Sequence, residues 1–157
     1  MIQERIDSPP TKIRLAERVA ATVDIIEVRL VETSAMQQMM DAAHPPKVRV
    51  ARKSETIRNN EDGFIAVKIS FLFEAKDAEK EGGAKVKIEA VYDLMYRLEN
   101  LSQFSDEEID AFGDVNGCYN AWPFWREYVY TTLARMGLPP ITLPVFRYDE
   151  STKDTPK

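Results

Sequence analysis

One cysteine, Cys118, and one histidine, His44, stand in the whole chain of 157 residues. A lone thiol cannot close an intrachain disulfide, and together with one imidazole it cannot fill a structural zinc site. A nucleophilic Cys–His pair would need a motif around it. His44 sits between Ala43 and Pro45, and Cys118 has no basic neighbour. Glycine is also scarce, and its one pair, Gly82-Gly83, closes a polar run as a hairpin turn does, with no phosphate-cradling pattern. Long apolar runs are missing: nothing approaches the roughly 20 residues that span a bilayer. The stretch Met1-Ile-Gln-Glu-Arg-Ile-Asp-Ser-Pro-Pro10 holds no signal-peptide core. Basic residues are missing where they would matter for nucleic acid. Between Arg97 and Arg126 there is none, while Glu99, Asp106, Glu107, Glu108, Asp110 and Asp114 are acidic. These absences lead us to expect a cytoplasmic protein that is no enzyme, with no cofactor, no metal site, no nucleic-acid partner and no membrane insertion.

What is present suits one soluble domain: 44% hydrophobic and 30% charged residues, with a net charge of −5. The single domain spans 1–157, with an ordered core over about 18–147 and loose termini, the tail running from Tyr148 to Lys157. The charge is uneven, ten Lys/Arg against eight Asp/Glu up to residue 58 and eleven against eighteen after it.

Thr11 is placed to cap a short helix reaching about Ala21. Val23 and Ile25 share one parity, and Ile26, Val28 and Leu30 the other, so a strand here needs a bulge near Ile25-Ile26. Met36, Met39 and Met40 follow, either as a loop packed on the core or as a soft binding surface. Val48 and Val50 alternate with basic residues as in a half-exposed strand, and Asn59-Asn-Glu-Asp-Gly63 marks a hairpin turn. Ile65 to Phe73 and Val86 to Leu98 then alternate strictly, each a strand with one buried face. Ser105-Asp-Glu-Glu108 is a capping box, which explains its acids without a cation. Its helix should run to about Asn116, burying Ile109 and Phe112, and break at Asn116-Gly117. A second helix should start near Pro123, bury a stripe of Trp125, Tyr128, Val129, Thr132, Leu133 and Met136, and stop at about Met136 before Gly137. Leu138 to Phe146, opened by three prolines, should lie extended outside the sheet. Strands first and helices last predict an α+β fold, a four-stranded antiparallel sheet with a long C-terminal helix and a shorter one packed on it.

Five aromatic residues, Trp122, Phe124, Trp125, Tyr128 and Tyr130, fall within nine positions. One helix on a small sheet cannot bury them all, so they are either core and subunit interface or the wall of a groove. Trp122-Pro-Phe-Trp-Arg-Glu-Tyr128, with Leu133-Ala-Arg-Met-Gly-Leu-Pro-Pro140 and Leu143-Pro144, resembles the signature of the SecB-like chaperone family. The likeness leans toward members associated with toxin–antitoxin systems and covers about residues 105–146. It implies an ATP-independent holdase that keeps unfolded polypeptides in hydrophobic grooves, for protein export or general holding, and a homotetramer built as a dimer of dimers. The alternatives are a dedicated chaperone of one antitoxin and a structural oligomer without clients. Docking on the translocase motor SecA belongs to the export members, and no acid here aligns with theirs. The groove residues expected on this basis are Tyr96, Phe112, Trp122, Phe124, Trp125 and Phe146.

Overall fold

Strict alternation in the two middle strands organises the molecule. The computed structural model describes residues 11–40, 43–79 and 81–148. Helix α1 (Lys12–Ala20) leads into β1 (Val23–Gln37), β2 (Lys47–Asn59), β3 (Phe64–Lys76) and β4 (Val86–Leu98), all antiparallel in the order β1-β4-β3-β2. On β3 and β4 every second side chain, from Ile65 to Ala75 and from Val86 to Leu98, is buried on the inner face. β1 and β2 are therefore the two edges.

β1 is longer than the sequence pattern suggested. It bulges between Ile25 and Glu27, as expected, which keeps Ile25, Val28 and Leu30 on the inner side opposite Tyr96, Leu94 and Tyr92, and again between Leu30 and Glu32, which sets Thr33 opposite Ala90. Met36 lies in this strand and Met39 is exposed, so only Met40 of the three methionines packs on the core.

The inner face is covered by one continuous helical rod. It begins at the Ser105 capping box, where the Ser105 hydroxyl accepts the Glu108 N–H and the Glu108 carboxylate accepts the Ser105 N–H. Helix α2 (Asp106–Phe112) passes through a π turn (Gly113–Gly117) into α3 (Cys118–Arg135). This corrects two expectations, a break at Asn116-Gly117 and a start near Pro123. Gly117 does not break the rod; it lets the rod approach the sheet, since a Cβ there would meet Val67 Cγ1 at 2.8 Å. Pro123 sits inside α3, and the hydrogen bond it cannot donate to Tyr119 is lost on the outward side, where both residues are exposed. The end of α3 follows expectation. Gly137 takes φ 74°, and the bonds Leu138 N–H to Leu133 C=O and Gly137 N–H to Ala134 C=O complete a Schellman cap.

Helix α1 packs on α2 through Leu15, Ala16 and Ala111 and begins at Lys12, ahead of the expected core limit near 18. Past the cap, residues 139–148 run extended outside the sheet. Tyr148, expected in a loose tail, is half-buried. The rest of the expectation for loose ends concerns 1–10 and 149–157, outside the described residues.

Candidate functional site

The rod crosses the sheet on a diagonal. Its π turn stands over β2, where Gly113 touches Thr56, and the far end of α3 reaches β1, where Gln37 Nε2 donates to the Met136 carbonyl at 2.9 Å. Between these ends Trp125 stacks on Phe71 of β3 with centroids 5.2 Å apart. The diagonal leaves a flank on each side, and the two are built from opposite materials.

The β2 flank is polar and filled. Arg52, Ser54, Thr56 and Arg58 occupy the inward positions of β2 opposite Phe71, Ile69, Val67 and Ile65. Arg58 donates to the carbonyls of Leu101 (2.9 Å) and Phe104 (3.0 Å) and pairs with Asp106 at 2.8 Å. Arg52 and Ser54 both donate to Asp114 Oδ1, at 2.6 and 2.9 Å, and Lys12 reaches Oδ2 at 2.6 Å. Burial works to raise the Asp114 pKa, but the hydrogen bonds from Lys12, Arg52 and Ser54 and the charge of Arg52 outweigh it and hold the carboxyl at about 2. Over this floor lies the extended segment. Leu143 is buried, the Pro144 carbonyl accepts from Trp122 Nε1 at 2.8 Å, and the Phe146 ring packs 5.5 Å from Trp122 and 5.3 Å from the Arg52 guanidinium.

The β1 flank is apolar and open. Ile25 and Leu30 face inward beside Tyr96 and Tyr92, yet they are 48% and 43% exposed. Phe124 stands against Tyr92 at 6.5 Å and is 49% exposed. Asn120, one turn before it, donates to the Tyr96 hydroxyl at 2.9 Å, and the Tyr128 hydroxyl meets that of Thr33. Tyr119 and Tyr130 add exposed rings on α3.

The expected groove residues therefore divide. Tyr96, Phe112 and Trp125 are at most 1% exposed and belong to the core, which corrects their placement. Tyr96 and Phe112 meet edge to face at 4.8 Å, and the Trp125 indole N–H finds no acceptor among the described residues. Trp122 and Phe146 are half-buried together on the β2 flank, and Phe124 stands alone of the six on the β1 flank. Missed from the sequence were Ile25 and Leu30, whose inward parity was visible and whose exposure was not.

Cys118 is buried against Arg52, its thiol pushed up to about 12 chiefly by burial, while His44 pairs with Glu79 on the loops. Among the described residues no group of His, Cys, Asp and Glu is placed to hold a metal ion, and no helix is long and apolar enough to cross a membrane.

No protein-family model matches the chain. It is similar to the SecB-like chaperone Rv1957 of Mycobacterium tuberculosis strain H37Rv, 30% identical over 80 residues that make up 45% of this chain and 44% of the relative. The SecB-like chaperone MT2006 of strain CDC 1551 is 39% identical over 41 residues, 26% of this chain and 23% of the relative. The matched stretches thus span less than half the length of these relatives. The solved structure of Rv1957 in complex with a ChAD peptide from the Rv1956 HigA1 antitoxin matches with a TM-score of 0.77, over 87% of this chain and 99% of that one, at 21% identity. The fold is SecB-like.

Proposed function

We propose that this chain, SecB-like in fold and similar in sequence to SecB-like chaperones, is an ATP-independent holdase for non-native polypeptides. The observation that carries the reading is the exposure of large apolar side chains where a smaller sheet protein would bury them: Ile25, Leu30 and Phe124 on one flank of α3, with Tyr119 and Tyr130 along its outer side. Apolar burial is non-directional, so such a surface holds many sequences by several weak contacts without a specific pocket. Trp122, Phe124 and Phe146 are the expected groove residues that remain at the surface.

The same surface supports self-association. β1 is a 15-residue edge strand, with Ile26, Val31 and Met36 exposed as well as its inner residues, and an uncovered apolar edge invites pairing. We read the protein as a cytoplasmic homo-oligomer, a tetramer before a dimer. A second, dedicated reading is favoured by the antitoxin peptide bound to the structural relative: the client here is one antitoxin. Export clients and delivery to SecA form the wider alternative. Mixing the protein with a denatured, slowly folding client, without ATP, should delay refolding in proportion to the chaperone added. No delay with any of a broad client set would leave the dedicated reading, and no binding to an antitoxin peptide either would remove both.

A further inference from the structure

We infer that residues 138–148 form a built-in competitor: this segment occupies the β2 flank in the form a held polypeptide would take, and a client binds there by displacing it. The inference rests on the holdase reading. The segment turns Ile141, Leu143, Phe146 and Tyr148 inward, with one shift of parity where Pro144 and Val145 are both exposed, and leaves Pro139, Pro140, Thr142 and Arg147 outward. Among the described residues, no backbone–backbone hydrogen bond ties 139–148 to the rest of the chain. Its anchors are the Trp122 bond to the Pro144 carbonyl, the buried Leu143, and two rings stacked under one cation. Arg52 lies 5.3 Å from the Phe146 centroid and 5.6 Å from that of Tyr148, whose hydroxyl donates to Asp114 at 3.3 Å. An element held only by side chains in a trough with a polar floor, its backbone unpaired, is exchanged for another of like pattern more readily than a hydrogen-bonded strand. Phe146 then belongs to the occupant of the groove and not to its wall. The pattern also defines the guest: an extended segment with an aliphatic residue followed three and five positions later by aromatic ones, as in Leu143-Pro-Val-Phe-Arg-Tyr148.

The test compares the wild-type chain with the double variant Phe146→Ala/Tyr148→Ala for binding of a permanently unfolded client. Removing the two rings from Arg52 should open the trough and tighten client binding about fivefold. A synthetic peptide of residues 138–148, added in trans, should then compete with the client. Equal or weaker binding by a variant that melts normally would overturn the inference, because the segment would then be wall. Should the variant not fold, trypsin on the wild-type chain decides: client must speed cleavage after Arg147, and an unchanged rate also overturns it. A wild-type chain that binds no client at all removes the holdase reading first and this one with it.

Discussion

The two edge strands invert the usual assignment of residues to places. β2 turns Arg52, Ser54, Thr56 and Arg58 inward and has partners for the charged ones, while β1 turns Ile25, Val28 and Leu30 inward and leaves much of Ile25 and Leu30 in water. Charged groups bury only where hydrogen bonds meet them, so the floor of the β2 flank is specified in detail and holds one arrangement of α1 and the π turn. Apolar groups need only area, and the β1 flank has more of it than the rod can cover. The floor of one flank fixes the fold, and the other keeps apolar area in water.

The seam between the flanks is the first place to break this contrast. Trp125 is wholly buried between Phe71 and Tyr128, so Trp125→Ala should cost about 3–5 kcal/mol and drop the melting temperature steeply. Phe124→Ala, one residue away, should leave the melt nearly unchanged and weaken client binding. Equal melting losses for the two would erase the distinction between core and flank.

Next in size is the fit of the rod on β2. A Cβ at Gly113 would stand 1.8 Å from Thr56 Oγ1, so Gly113→Ala should destabilise by about 1–3 kcal/mol in denaturant unfolding. The double variant Gly113→Ala/Thr56→Ala should recover part of the loss.

Smaller again is the acid dependence of the β2 flank. The Asp114 pKa falls from 3.8 unfolded to about 2 folded, so its contribution is complete above about pH 4 and is lost as the pH falls toward 2. The shift corresponds to about 2 kcal/mol, reduced to about 1 kcal/mol for a side chain still partly in water. Unfolding of the wild type and of Asp114→Asn at pH 7, 5 and 3 should show a gap that stays constant from 7 to 5 and narrows by 3. A gap that widens on acidification would assign the network the wrong sign.

The smallest effect on stability belongs to the open flank. Leu30→Glu should cost the isolated fold less than about 1 kcal/mol, yet reduce the light-scattering mass toward the 18.0 kDa of one chain. An unchanged mass with full client binding would show that the open flank serves neither role.

The middle strands, the Ser105 capping box and the Gly137 exit were legible because each is written within a few neighbouring residues. The polar floor of β2 was not. Arg52 and Asp114 lie 62 positions apart, and nothing near either marks the other as its partner. Nor could local pattern divide Trp125 from Phe124 or see that Tyr96 and Phe112 would face each other, since that depends on the phase of a rod whose glycines read as punctuation. The candidate site was thus half legible: its aromatic richness was plain, and which rings remain at the surface had to come from packing.

Each α-helical residue advances the chain by about 100° around its axis, and the π turn at Gly113–Gly117 takes up one residue more than an unbroken helix would use. In evolutionary bookkeeping this acts as an inserted position. Written without a gap beside a homologue whose rod is purely α-helical, every residue from Cys118 onward would be equated with its wrong counterpart. Phe124 would then be set against a core position and Trp125 against a half-exposed one. A single gap within residues 113–117 restores the match, and transfer of residue roles across such a pair depends on it.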